Sequence, residues 1–224
     1  DDALPDLVVA AGGTKEALTY LNLGGTFRKG SAAEVGGSPF GMATGDVNGD
    51  GRIDVAVTNA EDNNVTVLLG DASGGLSGRT PIPVGVRPLG LTMGDFNRDG
   101  RTDIAVTVSG AALVRVLQGD GSGQFTSGAG LPVGGQPRSV IAADFDGDSI
   151  IDLAVSNQGS NSVSILLGDG GGSFAPEVRY QVGASPGSLL ATDLNTDGRL
   201  DLIVGNLSSN SVSVLIGNGD GTFN

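Results

Sequence analysis

One stretch, Gly94 to Thr107 (Gly-Asp-Phe-Asn-Arg-Asp-Gly-Arg-Thr-Asp-Ile-Ala-Val-Thr), returns almost unchanged three more times at a spacing of 49 residues. That period constrains the fold more than anything else in the chain, because a protein assembled from copies has to stack equal units and bury its apolar surface between neighbours. Within each copy, oxygen-bearing side chains occupy loop positions 1, 3, 5 and 9. They are Asp46, Asn48, Asp50 and Asp54; Asp95, Asn97, Asp99 and Asp103; Asp144, Asp146, Asp148 and Asp152; and Asp193, Asn195, Asp197 and Asp201. Position 6 is glycine in three copies and Ser149 in the third. Position 7, held by Arg52, Arg101, Ile150 and Arg199, offers its backbone carbonyl. A hard cation seeks such ligands, and Ca2+ takes about six to eight oxygens at loose geometry. The sequence therefore predicts four Ca2+ sites, one per loop.

Two other uses of the motif fit less well. A helix-loop-helix calcium loop needs a bidentate Glu at position 12, where this chain has Val57, Val106, Val155 and Val204. An ordinary polar turn needs a glycine and one Asx residue and has no use for a fourth oxygen at a fixed offset. The acid at position 9 falls at the head of an apolar run, so strand formation would fix the last ligand. In the third copy Ser149 costs the turn conformational freedom, while Asp146 in place of Asn adds a charge that attracts the ion. The expectation is that this site is the most fragile, with Asp148→Ala emptying it more readily than Asp99→Ala empties the second.

Between the loops the chain reads as strand and turn. Ile53 to Asn59 alternates large and small residues with period 2, an Asn-rich turn follows at Glu61 to Asn64, and Val65 to Leu69 forms the next strand. A Gly-rich turn leads to an anchor that recurs at Phe27, Leu76, Phe125, Phe174 and Phe223 and opens a third strand. Prolines at 39, 88, 137 and 186 are expected to stop that strand, and a fourth, such as Leu89 to Phe96, runs into the next loop. Four antiparallel strands repeated at this length make a β-propeller blade. The fold class is thus all-β, a propeller of four-stranded antiparallel blades with about five repeats, 1–39, 40–88, 89–137, 138–186 and 187–224. The first and last are incomplete.

On these residues the chain resembles the FG-GAP or VCBS-type repeats of integrin-like β-propellers. The resemblance implies that the Asp-x-Asp/Asn-x-Asp-Gly-x-x-Asp loop joins the first two strands of a blade and binds Ca2+, and it implies an exported, bacterial source. It departs from the family pattern at Ser149 and at Leu76. Residues 1–6 keep only the tail of a loop, and Phe223-Asn224 stops where a third strand should begin. The chain therefore reads as a piece of a longer propeller, with roughly two further units completing the family's common seven-blade ring. If it is complete, its strand edges near Leu7–Ala10 and Val212–Ile216 are expected to self-associate.

Charge and inventory narrow the function. The net charge of −13 disfavours nucleic acid and anionic membrane as partners. Thirteen of the 25 acids lie in the loops, and four Ca2+ ions would lift the balance to −5. No Cys is present to staple the fold, so calcium takes that part. Extracellular Ca2+ would fill even weak sites where cytosolic Ca2+ would not, which points to secretion or the cell surface. A start at Asp1 reads as already trimmed, and no apolar run is long enough to insert into a membrane. With no His and no Cys, the usual general base and thiol nucleophile are missing. Left-over acids such as Glu16, Glu34, Glu61 and Glu177 do not recur as a pair. The expected function is a non-catalytic module for extracellular protein interaction, adhesion or assembly. Alternatives are a glycan-binding propeller, weakened by the lack of Trp, or an accessory domain of a larger secreted enzyme. Non-repeating residues mark any ligand site: Lys15, Glu16, Tyr20, Arg28 and Lys29 in the first unit, and Arg138 where other units have Phe40 and Leu89.

Overall fold

The computed structural model describes residues 4–224, with Arg79 and Thr80 described by their backbone alone; of the loop tail read in residues 1–6, residues 1–3 lie outside the described residues. Five antiparallel sheets follow one another in chain order. The first holds β1 (Leu7–Ala11), β2 (Glu16–Asn22) and β3 (Phe27–Glu34). The second holds β4 (Pro39–Gly45), β5 (Asp54–Asn59), β6 (Asn64–Gly70) and β7 (Leu76–Pro83). The third has β8 (Pro88–Gly94), β9 (Asp103–Val108), β10 (Leu113–Gly119) and β11 (Phe125–Pro132), and the fourth β12 (Pro137–Ala143), β13 (Asp152–Asn157), β14 (Ser162–Leu166) and β15 (Val178–Gln181). The fifth is β16 (Pro186–Thr192), β17 (Asp201–Asn206) and β18 (Ser211–Leu215). These are propeller blades, the middle three with four strands and the outer two with three among the described residues.

Two details correct the sequence reading. The recurring proline does not stop a strand; it is the first residue of β4, β8, β12 and β16. Proline is tolerated at the first residue of an edge strand because no ladder needs its missing N–H, and the register slips just after it, as between Pro39 opposite Asn59 and Met42 opposite Val57. The anchor opens a strand at Phe27, Leu76 and Phe125, whereas Phe174 and Phe223 make only isolated bridges, to Gly168 and Gly217. After Phe174, Pro176 removes a donor from the ladder, and pairing resumes at Val178.

The core lies between the sheets. Every residue of β5, β9 and β13 is buried. Val55 and Val57 face the first sheet with Ala17 and Val35, while Ala56, Val65 and Val67 face the third with Leu91, Ile104 and Val106. Small residues on one face admit large ones on the other, and each fully buried aliphatic side chain contributes about 1.5–3 kcal/mol. The outward faces of the end sheets lack this cover: Val212 is 63% exposed where its counterpart Val163 is 0%, and Leu7 is 49% exposed where Val55 is 0%. Hydroxyls also tie neighbouring blades together. Thr58 accepts from Gly41 N (2.8 Å) and donates to Leu89 O in the next blade (2.6 Å), and Ser156 accepts from Ser139 N (3.1 Å) and donates to Gly187 O (2.7 Å).

Candidate metal centre

Each acidic loop joins the innermost strand of a blade to the second: β4 to β5, β8 to β9, β12 to β13 and β16 to β17. The acid at position 9 is the first residue of the second strand and is buried in all four blades. Its two oxygens accept two backbone N–H groups. Asp54 takes Val47 N (2.9 Å) and Gly70 N (2.8 Å), and Asp103 takes Phe96 N (3.1 Å) and Gly119 N (2.8 Å). Asp152 takes Phe145 N and Gly168 N, both at 2.8 Å, and Asp201 takes Leu194 N (3.0 Å) and Gly217 N (2.9 Å). The carboxylate thus closes the loop on itself and pins it to the end of the third strand. Burial pushes the Asp54 and Asp103 carboxyls above the ordinary range, and that of Asp152 to about 6, against the lowering effect of those donors.

Position 1 organises the other end. Asp46 accepts from Gly49 N (2.7 Å) and Gly51 N (2.8 Å), and the Gly51 bond above all holds its carboxyl below the usual range. The position-6 amide makes the same bond in every loop, from Gly100 to Asp95, Ser149 to Asp144 and Gly198 to Asp193, at 2.8–2.9 Å. Ser149 sits at φ +66°, in the left-handed region where Gly51, Gly100 and Gly198 lie between +79° and +83°. Ser149 thus takes the left-handed conformation that a glycine adopts freely, at the cost in conformational freedom that its sequence position implies, and its amide makes the glycine's bond to position 1.

Positions 3, 5 and 7 divide the loops. Asn48, Asn97 and Asn195 each donate their side-chain amide to the position-5 carboxylate, at 2.9–3.1 Å. Arg52 and Arg199 clamp the same carboxylate at 2.7 and 2.6 Å, and Arg101 stands 3.9 Å from Asp99. That clamp holds the Asp197 carboxyl down at about 2. The third loop has Asp146 and Ile150 in those places, so its four carboxylates face no arginine of their own loop. Burial, with Asp148 and Asp144 nearby, raises the Asp146 carboxyl. Oxygens of Asp144, Asp146 and Asp152 lie within 4.8 Å of one another, the only such acidic group among the described residues. Of the predicted carboxylate ligands, this trio is the group of three that the structure brings within that distance; Arg52, Arg101 and Arg199, chosen for their carbonyls, turn their guanidinium groups to the loop acids or, at Arg52, also to Gly70 O (3.2 Å). The donor set fits a hard divalent cation: every side-chain atom offered is a carboxylate or amide oxygen, and in the third loop each hydrogen-bonded carboxylate oxygen accepts a single backbone amide and keeps a second lone pair.

Position 2 escaped the sequence reading although its signal, an apolar residue between two polar ligands, was visible. Val47, Phe96 and Phe145 are buried plugs between blades, and Phe96 and Phe145 meet the anchors Phe174 and Phe223 edge-on at 5.9 and 5.8 Å. Their carbonyls accept an amide from the next blade's turn, at Gly123, Gly172 and Gly221 (3.1–3.2 Å). The loops are therefore part of the contact between blades.

Known structures with this architecture include a functionally unknown protein from Desulfotomaculum acetoxidans (16% identity, 96% of this chain and 67% of that one, TM-score 0.66). A second is BBS1N, solved in complex with ARL6DN (12% identity, 98% and 62%, TM-score 0.66). A third is a catalytically inactive virginiamycin B lyase from Staphylococcus aureus (15% identity, 96% and 67%, TM-score 0.58). The chain spans about two thirds of the length of these proteins. Among curated proteins, no sequence matches it. The model of the FG-GAP-like repeat matches residues 1–57, 46–106, 95–155 and 144–204, each match opening a loop or closing on the strand after one, and the chain belongs to the FG-GAP-like repeat family.

Proposed function

We propose that this chain is a non-catalytic propeller module, residues 1–224 forming one domain or part of one, that holds about four Ca2+ ions and serves protein interaction or adhesion outside the cell. The observation that carries the metal reading is the convergence of Asp144, Asp146 and Asp152 with no guanidinium of their own loop to balance them. Membership in a repeat family that is generally extracellular and non-catalytic supports the rest, as does the absence of His and Cys. No helix among the described residues is long and apolar enough to cross a membrane. Because the loops plug the blade contacts, bound Ca2+ would stabilise the stack as well as the loops, by about 2.7 kcal/mol per site at a hundredfold excess over Kd. Isothermal titration and calorimetric melting with and without chelator test this. A titration that reveals no Ca2+ binding, or a melting temperature indifferent to excess chelator, would sink it. For the partner, pull-down against matrix proteins is expected to capture one, and a hit confined to a glycan array would overturn the protein-interaction reading.

A further inference from the structure

The proline ends of the innermost strands, away from the acidic loops, enclose a second feature. A cavity of about 260 Å3 lies among β4, β8, β12 and β16, lined by residues including Phe40, Met42, Gly90, Arg138, Ser139 and Ser188. One repeat position on its rim reads Gly41, Gly90, Ser139 and Ser188, small throughout. The strands need that smallness: a Cβ on Gly90 would lie 2.7 Å from Arg138 O and 2.8 Å from Ser139 Cα. The position before it reads Phe40, Leu89, Arg138 and Gly187, with no two alike. Packing between equal blades does not ask for four different residues at one place.

Arg138 crosses this space. From β12 its guanidinium lies over the ring of Phe40 on β4, two blades away, with 5.1 Å to the centroid. Its remaining side-chain bond is a long one, Nη1 to Gln158 Oε1 at 3.5 Å. Among the described residues the arginines paired with carboxylates are 52, 101, 179 and 199. In a chain with 25 acids against 12 bases, Arg138 faces none of them across its cavity. Stacking occupies the flat face of a guanidinium and leaves its edge of N–H donors, of which one reaches Gln158 and the rest form a fork that matches a carboxylate. Phe40 remains 48% exposed and gives an apolar surface beside that fork. At about 30 Å3 of liquid volume per water, the cavity has room for a body the size of one small ring.

We propose that this cavity binds a small organic carboxylate carried on a ring, its carboxylate on the Arg138 fork and its ring against Phe40, with Ser139 and Ser188 lining the wall. Planarity and the apolar neighbour favour a carboxylate over a bare phosphate, which would use the fork but leave Phe40 wet. The site does not depend on the acidic loops, so its test is separable from the Ca2+ reading. Titrate the full chain with D-glucuronate and with benzoate, following amide NMR shifts of Gly90, Ser139 and Ser188, in saturating Ca2+ and again in chelator. Glucose, benzyl alcohol and inorganic phosphate serve as controls. The expected result is saturable shifts with at least one of the two acids, lost or weakened about tenfold or more in R138Q and weakened severalfold in F40L. Which acid binds identifies a sugar acid or an aromatic one as the class. R138K, which keeps the charge and removes the fork, is expected to lose most of the affinity and guards against a variant that fails to fold. Failure of both acids to move these amides, equal binding by phosphate, or unchanged affinity in R138Q and R138K would overturn the proposal.

Discussion

The second and third acidic loops, adjacent in the stack and 49 residues apart, make one backbone turn with opposite electrostatics. In the second, Asn97 donates to Asp99 (3.1 Å), Arg101 stands beside the same carboxylate, and Arg98 adds another positive charge. In the third, aspartate replaces the asparagine and isoleucine the arginine. Yet the bonds from the position-6 amide to position 1, and from the two distant amides to position 9, are the same within a few tenths of an ångström. The turn is thus built by positions 1, 6 and 9, and the charge at 3 and 7 is free to vary. The second loop largely balances itself, whereas the third has no basic side chain of its own and its carboxylates could hold a metal ion. Its one borrowed donor, Arg98 from the second loop, reaches the carbonyl of Ser149 (3.2 Å) rather than a carboxylate.

The largest expected effect tests the shared scaffold. Asp103→Ala and Asp152→Ala each strand two backbone N–H groups in a buried place, and each such group costs about 1–3 kcal/mol. In chelator, both variants should therefore lose about 3 kcal/mol or more in urea denaturation. If one is costly and the other neutral, the two loops are not built alike and the comparison fails.

A second prediction uses the proton on Asp152. Its folded carboxyl is pushed up to about 6, above the roughly 4 of an unfolded aspartate, because burial disfavours its charged form. Between those values the folded state holds more protons than the unfolded one, so stability from this group is full below about pH 4 and lost as pH rises through 6. In chelator, the stability of wild type relative to Asp152→Asn should fall over that window. Adding Ca2+ should reverse the slope, since the ion needs the charged form. A wild-type advantage that grows with pH in chelator would contradict the buried environment assigned to Asp152.

Third, Ca2+ affinity should follow ligand charge. Against the expectation from Ser149 that this site is the most fragile, its charge predicts that the third loop fills first in a calorimetric titration, and Asp146→Asn with Ile150→Arg, which gives it the ligand set of the second, should weaken it by about tenfold, or 1.4 kcal/mol. The reciprocal Asn97→Asp should strengthen the second. Equal affinities across these variants would mean that backbone geometry, not charge, sets the ion's preference.

Much of this was legible in the sequence. The 49-residue period exposed the blades, and the alternation in Ile53 to Asn59 found β5, because both follow from what one strand must bury on its two faces. The loops were found for a similar reason: Asp46, Asn48, Asp50 and Asp54 carry oxygen at fixed offsets. Hydrogen bonds to distant amides leave no such trace. Nothing near Asp152 announces Gly168 N, and nothing in Arg52 tells that its guanidinium would turn onto Asp50 while only its carbonyl had been counted. The plug at Phe96 was readable as an apolar residue between two polar ligands, but nothing near it announces Phe174, the ring it meets. Phe40 and Arg138 were singled out as non-repeating, yet only the packing of β4, β8 and β12 shows that they meet.

The smallest expected effect concerns the residue that separates the two turns. Gly100 and Ser149 hold the same position at φ +80° and +66°, and a Cβ built on Gly100 finds nothing within 4 Å. A side chain there meets no neighbour, so substitution changes only backbone energetics. The left-handed conformation costs a non-glycine residue about 1–2 kcal/mol, but replacing glycine also removes freedom from the unfolded chain, which returns about 0.4–1 kcal/mol. The two terms nearly cancel. Gly100→Ser should then destabilise by about 1 kcal/mol or less, and Ser149→Gly should stabilise by a similar or smaller amount, both in chelator and with little change in Ca2+ affinity. Denaturant midpoints of the two variants measured beside wild type resolve shifts of this size. A loss of several kcal/mol in Gly100→Ser would show that the second turn, unlike the third, cannot hold a side chain, and that Ser149 depends on compensation from its own surroundings, with the Arg98 contact to its carbonyl the first to remove.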